Sequence, residues 1–209
     1  MFMLRRLAYP LILVWLLISA PAALADVDRV GEVLKQRGDV TAMRDGAIKA
    51  LDVGEPVFQT DRIVTGPEAR VKLQLVDGTV VAIGADSEVE LTEYVLIEAD
   101  SRLSAVLTLI RGIIRATVTD GDPPAPFDIR TQAAVASVRS TDWIVEANNG
   151  KTAVFVVDGL VAVTTDQPPA AVLLEPDFGT DVVVGGEPSP PVKWGEARVN
   201  AAFANTELD

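Results

Sequence analysis

The 209-residue chain contains no cysteine and no histidine, and aromatic side chains make up only 5% of it. Without cysteine there can be no disulfide, thiolate metal site, thiol nucleophile, haem attachment or lipoprotein anchor. Without histidine there is no Ser-His-Asp triad, no His-ligated zinc and no imidazole general base. Most common enzyme designs are therefore closed to this chain. The expectation is a non-enzymatic protein without a cofactor, held together by packing and ladder hydrogen bonds.

Long apolar runs are also scarce. One, "LILVWLLISA" at residues 11–20, follows Arg5 and Arg6 and precedes the small-residue site "ALA" that ends at Ala25. A charged start, an apolar centre and a small-residue end make a secretory leader, with cleavage expected after Ala25. The run is shorter than the roughly 20 residues a membrane span requires. An uncleaved anchor is the alternative. Expected after cleavage is a periplasmic or secreted protein without a stable membrane anchor.

Positive charge is short. The formal net charge of −12 becomes −14 on the 184 residues after Ala25, because the leader holds Arg5 and Arg6 and no acid. Such a balance repels nucleic acid and anionic membrane surfaces and keeps an exported domain soluble. One main domain with a tail fits the length.

What is abundant is β-branched sequence punctuated by turns. Gly38, Gly46, Gly54, Gly66 and Gly78 fall eight to twelve residues apart, with Val- and Ile-rich segments between them, the rhythm of short strands in a sandwich, barrel or solenoid. "VKLQL" puts Val71, Leu73 and Leu75 on one face, and Asp77-Gly78 reads as a tight hairpin turn with positive φ angles. "TVVAI" is apolar on both faces and predicts a covering layer. "SEVELTEYVL" alternates through Val89, Leu91 and, after a one-residue slip, Tyr94. "LSAVLTLIRGIIRATV" fits both a strand and a helix face through Leu103, Val106, Leu107, Ile110 and Ile114; Gly112 in its middle and the β-branched second half favour two strands. "FDIRT", "AVASV", "DWIVEA" and "TAVFVVDGLVAVTT" read as further strands, with hairpin turns at Asn149-Gly150 and Asp158-Gly159. From residue 166 the composition shifts to Pro and Gly around a strand-like pair, "AAVLL" and "TDVVV". The end "GEARVNAAFANTEL" predicts a short surface helix with Val199, Ala202 and Phe203 on one face.

At this point "RGDV", "GEPVFQTDRIVTGPEARVKLQLVDGTVVAIGADSEVEL", "LTLIRGIIRATV", "FDIRTQAAVASVRSTDWIVE" and "TAVFVVDGLVAV" stand in an order that resembles the FecR domain over residues 31–165. Its motifs are D-x-[IV]-x-T-G at Asp61 to Gly66, DG-[ST] at Asp77 to Thr79, and a late VRxT step at Val138 to Thr141. The resemblance implies an all-β fold of short stacked strands, solenoid- or sandwich-like, at 31–165, between the leader at 1–25 and a C-terminal region at 166–209 with a strand pair and a short helix. It also implies an extracytoplasmic module that binds protein in envelope signalling or assembly, such as a receptor, sensor or assembly component. Two departures stand out. Ser140 replaces the family's usual Gly, which predicts strain if that position needs a positive φ. The cytoplasmic sigma-factor-binding segment and membrane helix of the family's sensors are not found ahead of the domain, so a stand-alone form is expected.

Candidate sites are weighed against plainer roles. Asp120/Asp122 and Glu88/Glu90/Glu93 are carboxylate clusters that could cleave a glycosidic bond or hold Ca²⁺, but no calcium-loop pattern accompanies them, and solvated charges explain them. No catalytic, cofactor or metal residue is therefore assigned, and the partner-binding residues are unknown at this stage. Trp143 is expected in the core. Arg139, in an apolar segment, is expected to form a structural ion pair. Gly78, Gly150 and Gly159 are turn formers. The alternative function is a glycan- or cell-wall-binding β module, against which the scarcity of Trp and Tyr weighs.

Overall fold

The computed structural model describes residues 29–98, 101–119, 125–166 and 168–208. The leader with its Ala25 site, and Asp120 and Asp122, lie outside the described residues.

Seventeen strands and one helix are described. In chain order they are β1 (Arg29–Arg37), β2 (Val40–Arg44), β3 (Ala47–Ala50), β4 (Pro56–Phe58), β5 (Arg62–Thr65), β6 (Arg70–Leu75), β7 (Val80–Ile83), β8 (Glu88–Glu98) and β9 (Ser101–Val118). There follow β10 (Phe127–Arg130), β11 (Val135–Val138), β12 (Thr141–Asn148), β13 (Lys151–Asp158), β14 (Val161–Asp166), β15 (Pro169–Leu174), β16 (Phe178–Val183), β17 (Val192–Lys193) and helix α1 (Glu196–Thr206). The fold is mostly β with one C-terminal helix, as expected.

The strands form two layers joined through β9. The first runs β4-β1-β6-β7-β9-β12-β13-β16-β17. The second runs β3-β2-β5-β8-β9-β10-β11-β14-β15, where β9–β10 is a parallel pairing. One core cluster draws on both layers, from Val33, Leu73 and Ile83 to Ile63, Leu109 and Phe127. From β10 onward the chain lays down strands two at a time on alternate layers, each pair extending its layer away from β9.

The 18-residue β9 is the hinge of this plan. Ala105, Leu107 and Leu109 face the core in its first part, and Ile114, Ala116 and Val118 in its second, so the inward parity flips between them. Gly112, at φ 98, sits at the flip, and there the strand leaves β8 for β7 and β12. A Cβ at Gly112 would stand 2.1 Å from Ser87 Oγ and 2.5 Å from Ser87 Cα, so both conformation and space demand glycine. The two predicted strands are thus one strand bent at Gly112. The helical face does not exist as a buried face, because Leu103 and Ile110 are exposed.

Other expectations hold residue by residue. Val71, Leu73 and Leu75 are buried, and Val89, Leu91 and Tyr94 face the core across a register shift between Glu90 and Glu93. The layer that covers β7 is the end of α1, whose Asn205 carbonyl would lie 2.7 Å from a Cβ at Gly84. The β6–β7 turn differs from expectation in one respect: Gly78 alone has positive φ, while Asp77 uses its carboxylate to accept from Thr79 N and Oγ1, each at 2.9 Å. "AAVLL" and "TDVVV" do not pair with each other; β15 joins β14 in one layer and β16 joins β13 in the other.

The outer face of the first layer is roofed by the C-terminal segment. Ile113, Ile144, Ala153 and Phe155 form a second apolar cluster with Trp194 and Ala202. Trp194 stacks on Phe155, Arg198 lies 3.5 Å over the Trp194 ring, and Arg115 lies 4.5 Å over Phe203. Arg70 Nε donates to the Asn205 carbonyl at 3.0 Å, a cation against the negative end of the helix dipole. No helix among the described residues is long and apolar enough to cross a membrane.

Candidate partner-binding surface

The motif residues of the sequence are structural. Asp61 is 0% exposed; its carboxylate takes Arg44 Nε and Nη2 at 2.5 and 2.8 Å and the Phe58 N–H at 2.9 Å. Arg44 in turn lies 3.7 Å over the Phe58 ring. Ile63 fills the core, and Thr65 Oγ1 donates to Gly84 O at 2.6 Å and accepts from Ser87 N at 2.9 Å. These bonds fix the crossing of β5 and β8 over the core.

Asp77 does more than close a hairpin. It pairs with Arg102, a buried guanidinium that also donates to Thr79 Oγ1 at 3.1 Å and to Ala125 O at 3.2 Å. Tyr94 lies beside the same carboxylate, and burial first, then the Asp77 charge, push its phenol above the ordinary tyrosine range. Its hydroxyl nonetheless meets no partner with hydrogen-bond distance and angle among the described residues. Arg102 escaped sequence reasoning, though the argument applied to Arg139 fits it well: an Arg in an alternating apolar strand needs a carboxylate.

Arg139 itself corrects that expectation. Strand β11 ends at Val138, so Arg139 is exposed in the corner before β12 and makes no ion pair among the described residues. Ser140 beside it does not have positive φ, so the predicted strain is absent. The left-handed residue of this corner is Gly159, at φ 90, where a Cβ would meet the Ser140 carbonyl at 2.8 Å. Thr141 Oγ1 locks the corner by donating to Leu160 O at 3.1 Å.

Trp143 is fully buried as expected, although its indole N–H has no acceptor among the described residues. Three acids of β8 are paired across the outer face: Glu88 with Arg62 and Arg111 at 3.3 Å each, Glu90 with Arg62 at 3.3 Å, and Glu93 with Ser104 at 2.8 Å. They converge on no shared point; among the described residues no three acids are placed to hold a metal ion.

Among the described residues the second layer has no roof like α1, and its outer face divides into two halves. The β5–β8–β9 half carries the Arg–Glu ladder. The other half has, beyond a charged residue on β10, small or apolar residues in cross-strand register, Asp128-Ser137-Ala162-Leu173 in one row and Arg130-Val135-Thr164-Ala171 in the next. A groove of about 680 Å³ opens along the first row, walled by Asp128, Leu160 and Leu173 and ended by Arg139 and Ser140. Leu160 and Leu173 are 51% and 59% exposed, and one carboxylate oxygen of Asp128 is buried without a partner among the described residues. The groove can therefore offer two leucines and a guanidinium donor to one bound segment, with Asp128 in its wall. Neither Asp128 nor the leucines stood out in the sequence, because only strand pairing brings them together.

The layer edges are unequal. β4 has three residues beginning with Pro56, β17 has two, and β3 has four with Lys49 among them. β15 has six residues, "PAAVLL", none of them charged, and among the described residues pairs on one side only, with β14. Short, proline-bearing or lysine-bearing edges resist pairing with another chain; β15 carries its proline only at its first position.

Residues 61–162 match the family described as FecR protein. Two crystal structures of a candidate anti-sigma factor from Parabacteroides distasonis ATCC 8503 share the fold, each over 67% of this chain at 24% identity, with TM-scores of 0.55 and 0.54. This chain spans 62% and 63% of those two chains. No curated protein matches it.

Proposed function

Starting from the FecR domain that residues 61–162 form, we propose that the protein is a non-enzymatic, exported binding module that engages another protein of the cell envelope, in signalling or assembly. One observation carries this reading: of the two outer faces, one is roofed by the chain's own helix, and the other presents uncovered leucines and an uncharged edge strand. Exposed apolar side chains gathered around an unpaired edge are what strand addition uses, with main-chain hydrogen bonds giving affinity and side chains giving selectivity. Export rests on the leader pattern of residues 1–25, which places the partner in the periplasm or beyond. The named motifs Asp61–Gly66 and Asp77–Thr79 then build the scaffold, and the recognising surface is the half-face that ends at β15.

Affinity capture from envelope extract tests this. The wild-type protein is expected to retain a specific partner that a Leu160→Lys/Leu173→Lys variant loses while keeping its Tm, since both side chains are exposed. Equal capture by both proteins would overturn the assignment of the face. The glycan-binding alternative gains nothing from the described tryptophans: Trp143 and Trp194 are both buried, so neither indole is free to stack on a sugar.

A further inference from the structure

We propose that the β15 edge accepts an extended strand with an apolar centre and basic flanks; this rests on the binding-module reading above and names the chemistry of the partner. The edge itself is uncharged from Pro169 to Leu174. Exposed acids stand at both ends of it, Asp166 as the last residue of β14 opposite Pro169 and Glu175 just after Leu174, and neither forms an ion pair among the described residues. Asp177 follows, 3.9 Å from Lys193 in an exposed and weak pair. Residues 161–193, which make this end of the molecule, hold five acids and one lysine.

A strand added to β15 would continue the rows that end in Ala171 and Leu173, so its outward side chains would cover Leu173 and reach Leu160. Its residue opposite Pro169 would lie two strand spacings, roughly 10 Å, from Asp166, and the residue just beyond its other end would come level with Glu175, so Lys or Arg is attracted at both ends and Asp or Glu repelled. Two bases share the face. Arg130 lies three strand spacings from β15, roughly 14 Å, too far to decide the charge of an added strand. Arg139 lines the far end of the groove along with Asp128, so the formal charges of the two cancel.

A second copy of this chain fits the same edge poorly. Antiparallel self-pairing with Pro169 opposite Leu174 would bring Glu175 of each copy to the end of the joint where Asp166 of the other stands, like charges roughly two strand spacings apart at both ends. The edge is therefore selective against its own copy and open to a basic strand.

The test uses two short synthetic strands of alternating valine and threonine, one with a lysine pair at each end and one with a glutamate pair, titrated into the full mature protein at low salt. The lysine-flanked peptide is expected to bind and to protect β15 amides from hydrogen exchange. Asp166→Lys/Glu175→Lys should weaken it about fivefold and strengthen the glutamate-flanked peptide. Equal affinity for the two peptides, or no binding of either, overturns the basic-strand proposal; if Leu160→Lys/Leu173→Lys still abolishes capture of the envelope partner, the binding-module reading survives that loss. If that variant captures normally, both fall. A concentration-dependent dimer of the wild type that Leu173→Lys dissolves would also overturn the proposal, by placing a second copy on the edge.

Discussion

Trp194 and Phe155 stack with ring centroids 4.8 Å apart and planes inclined by 22°, and this contact fastens the C-terminal segment to the outer face of the first layer. Gly179 makes room for it, since a Cβ there would lie 2.3 Å from the indole Nε1. Trp194→Ala is expected to cost about 3 kcal/mol by chemical denaturation, with earlier hydrogen exchange in α1 than in β9. An unchanged midpoint would mean that the roof is not part of the cooperative unit.

Gly112→Ala meets both a left-handed backbone and the Ser87 side chain. A loss above about 3 kcal/mol is predicted, whereas Gly46→Ala, where the added Cβ has open space despite φ 79, should lose about 1 kcal/mol. Thermal melts of the two variants decide the matter, and comparable losses would refute the role given to the bend in β9.

The buried Arg102–Asp77 pair should behave as a unit. Arg102→Leu leaves an uncompensated carboxylate and is predicted to cost about 3 kcal/mol; Arg102→Leu with Asp77→Asn should recover part of that loss. A double variant less stable than the single one by the full cost of a second defect would show that the two side chains are independent.

Glu146 and Asp181 both face Arg198, at 3.8 and 3.0 Å, yet shift in opposite directions. Burial raises Glu146 above the ordinary range more than Arg198 lowers it. For Asp181 burial is again the largest single influence, but the bonds from Arg198 and Lys151 together outweigh it and the group is lowered. A raised carboxyl binds its proton more tightly when folded, so stability falls as pH rises from the ordinary glutamate range through the folded pKa. A lowered one adds stability that is lost as pH falls through its folded pKa. Glu146→Gln should therefore gain in Tm relative to wild type as pH rises from acid to neutral, and a difference that is flat with pH would contradict the burial argument.

Much of the fold could be read from local pattern, because alternation in "VKLQL" and "SEVEL" states which face is buried without reference to any partner. The slip before Tyr94 was legible for the same reason. Strand order was not: the parallel pairing of β9 with β10, and the separation of β15 from β16 into different layers, depend on contacts between distant segments. Arg102 and Arg139 show the same limit within one rule. Both are arginines beside apolar alternation, but β11 stops one residue before Arg139 and leaves it in solvent, while Arg102 lies inside β9 and pairs with Asp77 of the β6–β7 turn. The groove was invisible for a related reason, since Ser137, Ala162 and Leu173 come from three strands and mark nothing in sequence.

The face assignment is tested most directly by photocrosslinking in living cells, with a benzophenone side chain placed at Leu173 beside the edge or at Ala201 on the exposed side of the roofing helix. The account predicts a discrete crosslinked species from position 173 and none from position 201. Crosslinks from 201 with none from 173 would contradict it.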